Sequence, residues 1–315
     1  MLVIWYLERK VMEKNLSLNN IYLPFSYLER VKRVNEKYTL KVILWDDLPL
    51  LLFTFTWQPH YSLLKAISII FLMISFWCVY EIGYFENDLI AEKYEEKPKL
   101  ATTYYAHKRM MESYYPWIFS LLFGFLGLFL LEKTQEVRYL FNPALLELKI
   151  GAFHPVFLMS FYWILLLIST RLCFWIFNNF NKHTRSWLYI LLQSFRYYGF
   201  ATVTYINPIG TSLLSSNILS RSILYVVYRY SGGEAKDWPT EIPEKVLRCL
   251  TFVFILGAIS FGSQSLYLWQ TWQTWTIICW CLIQGKGQFI RTLSQVKPIF
   301  EDGSNYVGTT TIAAR

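Results

Sequence analysis

Long apolar runs alternate with short polar segments over most of the chain. Eight runs have about the 20 residues that a transmembrane helix needs, and proline or glycine residues lie at or near their ends, where helices are expected to stop. We therefore expect an all-α polytopic membrane protein, a bundle of about eight to nine transmembrane helices around a central cavity that opens to the cytoplasmic side. A ninth span is not visible in the pattern. The predicted spans are 41–57, 62–84, 116–132, 155–177, 187–206, 209–230, 248–263 and 265–284.

The segment before the first span has a different pattern. Between 21 and 41, apolar residues recur at spacings of three to four, with basic residues such as Arg30 and Lys32 between them. This pattern favours a basic amphipathic helix on an anionic membrane surface; the alternative is a solvated helix that packs on the protein's own loops. The predicted regions are a cytoplasmic basic N-terminal segment (1–40), a transmembrane bundle (41–285) with cytoplasmic loops 85–115 and 231–247, and a cytoplasmic tail (286–315).

Composition supports a membrane protein. Hydrophobic residues make up 54% of the 315 positions and charged residues 17%, whereas soluble domains carry about 25% charged residues. This composition argues against a soluble enzyme, a disordered protein and a repeat solenoid. The five cysteines lie inside apolar runs, where a thiol behaves as a small hydrophobic group.

The basic residues indicate the orientation in the membrane. With the N-terminus in the cytoplasm, 23 of the 30 Lys and Arg residues fall on the cytoplasmic side, which is the usual bias of membrane proteins. Both termini are then cytoplasmic. We expect no nucleic-acid partner, because the positive charge follows the loops as membrane insertion requires.

An acidic stripe follows the second span. If its helix continues past the membrane, Glu81, Asp88, Glu92 and Glu95 lie on one face, at spacings of seven, four and three residues. Like charges in this arrangement repel each other. We therefore expect a cationic partner among them.

Two kinds of partner are compatible with this spacing. One is Mg²⁺, which commonly bridges carboxylates and substrate phosphates. The other is the set of basic residues on a solvated helix, with Lys93 and Lys97 as the partners.

Three arginines lie well inside the spans, away from their ends. Counted from the cytoplasmic ends, Arg171, Arg196 and Arg221 lie roughly 9–14 Å deep, where an unpaired guanidinium group costs several kcal/mol. Their common depth suggests one cavity that binds phosphate oxygens, which match the guanidinium geometry. Asp46 and Asp47 enter the same layer, and we expect them to pair with an arginine.

Residues 87–98 resemble the first aspartate-rich motif of the UbiA superfamily of intramembrane prenyltransferases. That motif reads NDxxDxxxD and is followed by a basic residue and Pro. The sequence departs from it at Ala91, which takes the place of the middle Asp. The side chains that match the motif or stand beside its positions are Asn87, Asp88, Glu92, Glu95 and Lys97.

The family's second acidic motif, DxxxD, lies in the cytoplasmic loop after the sixth span. Loop 231–247 occupies this place here, and Asp237 and Glu241 are the nearest match.

The resemblance implies a helical bundle in which both acidic segments hold Mg²⁺, and Mg²⁺ holds a polyprenyl diphosphate or phosphate. It implies prenyl transfer, or transfer of a glycosyl or phosphoribosyl group to a polyprenyl phosphate. The catalytic candidates are Asp88, Glu92 and Asp237. The metal candidates are Asn87, Asp88, Glu92, Glu95, Asp237 and Glu241, and the substrate-binding candidates are Arg171, Arg196, Arg221 and Lys97.

Two alternatives to a transferase are compatible with the sequence. One is a transporter or flippase for a lipid or lipid-linked substrate. The other is a non-catalytic membrane subunit, in which the buried arginines would pair only with Asp46, Asp47 or Glu81.

Overall fold

The computed structural model describes an all-helical protein. It covers residues 23–34, 36–57, 63–95, 98, 100–108, 114–134, 155–181, 184–230 and 242–295. Helical residues make up 87% of these ranges, and no strand occurs within them. The predicted all-α class is confirmed.

The α-helices of the described ranges are numbered in chain order. Two segments of wider, π-helical turns come first, at Leu28–Lys32 and Thr39–Asp47, and the second is called the π segment below. The helices are α1 (Leu48–Phe55), α2 (Leu63–Tyr94), α3 (Thr102–His107), α4 (Tyr114–Lys133), α5 (Pro155–Asn179), α6 (Arg185–Tyr198), α7 (Pro208–Tyr230), α8 (Glu244–Gly262) and α9 (Trp272–Gln295).

Each predicted span coincides with helical structure. The first falls on the π segment and α1, and the others fall on α2 and on α4 to α9. Four helices, α2, α4, α5 and α8, are long and apolar enough to cross a membrane. These four helices support an integral membrane protein.

Helix α2 is the central element. It packs against α4, α5 and α1, and all nine consecutive residues from 75 to 83 are buried, so burial extends around the whole helix. A helix that is apolar around its whole circumference is expected to be enclosed by other elements.

The contact between α2 and α4 is built from small residues. Ser120, Gly124 and Gly127 form the buried face of α4, and large apolar residues such as Leu122 and Phe125 are exposed on the opposite face. This distribution is typical of membrane helices, whose close contacts use small residues because lipid is as apolar as the large side chains.

Hydroxyl groups also link these two helices. Ser68 Oγ donates a hydrogen bond to the Gly127 carbonyl over 2.7 Å, and Ser75 Oγ donates one to the Ser120 carbonyl over 2.7 Å. Trp163 of α5 donates its indole N–H to Ser75 Oγ over 3.0 Å. Polar side chains that are buried in this way satisfy each other across the helices.

The π segment is followed directly by α1, whose second residue is Pro49. Proline has no N–H to offer to the carbonyl four residues before it, that of Trp45. Gln284 of α9 supplies the missing donor, with its Nε2 2.5 Å from this oxygen. A side chain from α9 thus provides the hydrogen bond that the proline cannot donate.

The α2–α4 contact predicts a position-specific effect of one methyl group. A Cβ atom at Gly124 would lie 2.9 Å from Ser75 Oγ and 3.0 Å from Trp163 Nε1, whereas one at Gly257 of α8 would have no neighbour closer than 3.9 Å. We expect Gly124→Ala to lower the free energy of unfolding by about 1–3 kcal/mol, as overpacking does. Gly257→Ala is the matched control and should be neutral or stabilising. Thermal unfolding of the purified protein in detergent measures both, and an unchanged midpoint for Gly124→Ala would contradict the described packing.

Candidate functional site: a buried cluster of charged side chains

Two adjacent aspartates at the end of the π segment form the centre of the site. Asp46 and Asp47 are both buried. A π turn contains more residues than the 3.6 of an α turn, so consecutive side chains are separated by a smaller angle. The wider turn therefore directs both carboxylates toward the interior, whereas the preceding Trp45 remains exposed.

Four basic side chains converge on these carboxylates from three helices. Arg196 of α6 pairs with Asp47, and Tyr197 donates its hydroxyl to the same carboxylate over 2.9 Å. Asp46 accepts hydrogen bonds from three cations: Arg221 of α7 over 2.6 Å, Lys245 of α8 over 2.5 Å and Arg248 of α8 over 2.7 Å. Together with Asp46, Asp47 and Glu244, these four cations are called the basic cluster.

The basic cluster carries an excess of positive charge and of hydrogen-bond donors. Its four cations face three carboxylates, since Glu244 lies 3.4 Å from Arg221 Nε and 3.8 Å from Lys245 Nζ. Nε of Arg196 and both Nε and Nη2 of Arg248 are buried, without a hydrogen-bond partner among the described residues. Buried donors normally have partners, so this arrangement suits an additional anionic or polar group.

Aromatic rings cover the guanidinium groups. The ring centroid of Trp280 lies 4.2 Å from the guanidinium carbon of Arg248. The ring centroid of Trp77 lies 4.6 Å from the guanidinium carbon of Arg196. Tyr197 lies 5.5 Å from the guanidinium group of Arg221. Cation–π contacts at these distances stabilise cations that have left water, and they leave the guanidinium edges free to donate hydrogen bonds.

The basic cluster is accessible from one end. Side-chain exposure is 23% for Glu244, 17% for Lys245 and 11% for Arg221, and it falls to 0% for Arg248. Glu244 and Lys245 begin α8, so access comes from the end of the bundle at which α8 starts. In the predicted orientation this end is cytoplasmic.

The predicted acidic stripe forms a second polar region on α2. Tyr80 of α2 lies at the level of the basic cluster, because its ring centroid is 5.7 Å from the Arg196 guanidinium carbon. Asp88 follows Tyr80 by eight residues, so it lies about 12 Å farther along the helix. Asp88 is buried and accepts hydrogen bonds from Tyr27 Oη over 2.5 Å and from Lys32 Nζ over 2.7 Å.

The other acidic residues of the stripe have partners of their own. Glu92 binds Lys108 and Tyr104 over 2.5 Å and 2.9 Å. Glu95 lies 3.8 Å from Arg185.

The pKa values of the two Asp88 partners reflect burial. Burial and the neighbouring carboxylate raise the pKa of Tyr27 well above its ordinary value. Tyr27 therefore stays protonated, and its hydroxyl donates the hydrogen bond to Asp88. Burial lowers the pKa of Lys32, while the Asp88 charge and hydrogen bond act in the opposite direction. The contact with Asp88 therefore favours the ammonium form.

The structure brings only some of the predicted substrate-binding residues together. Arg196 and Arg221 both belong to the basic cluster, and the expected pairing of Asp46 and Asp47 with arginine is confirmed. Arg171 lies elsewhere, paired with Glu86 of α2. The remaining predicted residues, Lys97, Asp237 and Glu241, lie outside the described residues.

The described acidic residues do not fit a divalent metal ion as they stand. Within the described ranges, no three His, Cys, Asp or Glu side chains lie together in an arrangement that could hold a metal ion. Asp88, Glu92 and Glu95 each face a different basic residue, and Asn87 is half-buried beside them. Mg²⁺ needs several oxygen ligands around one point, and here those oxygens are engaged separately.

Two members of the basic cluster, Lys245 and Arg248, were not predicted, although a sequence signal exists. Arg248 precedes Phe252 and Leu256 at intervals of four residues, and these two side chains are fully buried. This spacing places Arg248 on the buried face of α8. The predicted loop 231–247 includes Lys245, and the predicted span begins only at Arg248, because hydropathy alone places the start of α8 too late.

Comparisons with family models, with curated proteins and with solved structures found no match.

The basic cluster predicts a large difference between buried and exposed ion pairs. Asp47→Ala leaves Arg196 buried without its carboxylate, and we expect a loss of about 3–5 kcal/mol in the free energy of unfolding. Glu36→Ala is the control, because its pair with Arg33 is about half exposed and should contribute about 0–1 kcal/mol. Reversible unfolding in mixed micelles measures both variants. Equal losses would show that the cluster is not buried as described.

Proposed function

We propose that this protein is a membrane transferase that binds the phosphate or diphosphate headgroup of a polyprenyl-type lipid in the basic cluster. The eight predicted spans would form the surrounding bundle, and the headgroup would enter from the cytoplasmic end. The transferred group would be a prenyl chain, or a glycosyl or phosphoribosyl group that is added to a polyprenyl phosphate.

One observation carries the proposal: the basic cluster has four cations for three carboxylates and retains unpaired donors on Arg196 and Arg248. A guanidinium group presents parallel N–H donors that match two phosphate oxygens. An incoming phosphate would supply the missing acceptors and the missing negative charge together. A neutral ligand would supply the acceptors alone.

The surroundings of the cluster suit a ligand with an apolar tail. Leu44 and Trp45 are exposed, and the next two residues, Asp46 and Asp47, are buried at the cluster. The polar centre therefore lies within one helical turn of the apolar outer surface. A lipid could place its headgroup among the cations while its chain lies along this surface.

The same cations would favour group transfer. Negative charge develops on the phosphate oxygens when a diphosphate leaves, and preorganised guanidinium groups stabilise such charge strongly where water is excluded. Burial of the site would also protect a reactive carbon centre from hydrolysis. The resemblance of residues 87–98 to an intramembrane prenyltransferase motif supports the same class of substrate.

A non-catalytic membrane subunit is the second candidate. It is favoured by the carboxylate partners of Arg196 and Arg221, since this alternative predicts that Asp46 and Asp47 neutralise the buried arginines. In that case the basic cluster would tie helices together and would hold no ligand.

Lipid analysis separates the two candidates. We expect the purified protein to carry polyprenyl phosphate or diphosphate, detected by mass spectrometry of extracted lipids. Arg248→Gln removes a guanidinium group that has two unpaired donors, and it should reduce the retained lipid by about 10–100-fold, as expected for hydrogen bonds to a charged group.

Arg33→Gln is the matched control, because it makes the same chemical change on an exposed side chain and should leave the lipid content unchanged. Arg248→Lys keeps the charge and controls for misfolding. Recovery of ordinary phospholipids alone, in equal amounts from all variants, would contradict the proposal and favour the subunit.

A further inference from the structure

Residues 23–34, called the N-terminal segment from here on, lie against the acidic stripe of Glu81, Asp88, Glu92 and Glu95, which is called the acidic face below. Tyr27, Leu28 and Val31 are almost completely buried, and Thr103 beside the segment donates its hydroxyl to the Val31 carbonyl over 2.8 Å. Of the two predicted positions for this region, packing on the protein itself agrees with the structure. Lys32 is directed to a carboxylate of α2, whereas Arg30 and Arg33 are exposed.

Glu81 fixes the start of this segment. Its two oxygens accept the backbone N–H groups of Phe25, over 2.7 Å, and of Leu28, over 3.0 Å. Phe25 has a φ of 68°, which lies in the left-handed region that bulky residues rarely adopt. Two hydrogen bonds to a buried carboxylate can compensate for this backbone strain.

Each carboxylate oxygen of Asp88 already accepts a hydrogen bond. Oδ1 accepts from the Lys32 ammonium group and Oδ2 from the Tyr27 hydroxyl. A metal ion bound to either oxygen of Asp88 would lie close to the Lys32 ammonium group, whose Nζ is 2.7 Å from Oδ1. The repulsion between these cations would oppose metal binding.

Glu92 and Glu95 are engaged in the same manner, each by a basic side chain from a different part of the fold. Lys108 follows α3, and Arg185 begins α6. The cations come from three separate regions of the chain, so the acidic face joins those regions.

We infer that Asp88 is the ion-pair partner of Lys32, so that the N-terminal segment, and not a divalent cation, neutralises the central carboxylate of the acidic face. Asp88 is then a positioning residue that holds residues 23–34 over α2. Three carboxylates of the acidic face, Asp88, Glu92 and Glu95, bind the protein's own ammonium and guanidinium groups. One part of the inference rests on the proposed function: the basic cluster binds the lipid headgroup without a divalent cation.

A charge exchange distinguishes an ion pair from a metal ligand. Asp88→Lys places two ammonium groups opposite each other, and we expect a lower unfolding midpoint. The double variant Lys32→Asp with Asp88→Lys restores opposite charges and should recover most of this loss, apart from the Tyr27 hydrogen bond. A metal ligand cannot be rescued in this way, because a lysine at position 88 does not bind a cation. No recovery in the double variant would overturn the inference.

Manganese binding is the second measurement. Electron paramagnetic resonance with millimolar Mn²⁺ should detect no ion that is bound in the wild type and lost in Asp88→Asn. Such an ion would overturn the inference whatever the lipid result.

Lipid retention then tests the part that rests on the proposed function. It should be the same after purification with excess EDTA and with millimolar Mg²⁺. Retention that EDTA abolishes would contradict the inference and leave the proposed function intact. If no polyprenyl lipid is retained under either condition, the proposed function fails, whereas the charge exchange and the manganese result still decide the role of Asp88.

Discussion

The pair of buried carboxylates, Asp46 and Asp47, is the constraint on which the rest of the fold depends. Three helices, α6, α7 and α8, each direct a guanidinium group toward this pair. A guanidinium group inside a membrane bundle is strongly unfavourable without a partner, so none of these helices can turn or slide without losing its counterion. A short stretch of wide helical turns thereby sets the positions of much longer elements around it.

The remaining contacts follow the rules of a lipid solvent. Large apolar side chains are exposed on α4, whereas Ser120, Gly124 and Gly127 form its inner face. Lipid provides no hydrophobic force that would drive apolar helices together, so close approach and shared hydrogen bonds must do so. The α2–α4 pair uses serine hydroxyls for this purpose, and the other half of the bundle uses charge.

The sequence predicts the helices well and their partners poorly. Each of the eight apolar runs falls on helical structure, and Arg196 and Arg221 pair with the aspartates that counting residues from the helix ends places in the same layer. The donors to Asp88 could not be predicted, because Tyr27 and Lys32 lie 61 and 56 residues away and no local pattern connects them. The wide turn at Asp46 and Asp47 also leaves no signal in hydropathy. The early start of α8, which brings Lys245 and Arg248 into the cluster, is seen only from the spacing of buried residues.

The separation between Asp46 and Arg248 has a consequence for biosynthesis. These residues are 202 positions apart, so the aspartate leaves the ribosome about 10–40 s before its arginine partner exists, at ordinary rates of translation. During this time the strongly apolar helices α2, α4 and α5 are already made. The first span should therefore wait at the membrane surface and enter the bundle last, after the helix that neutralises it has been synthesised.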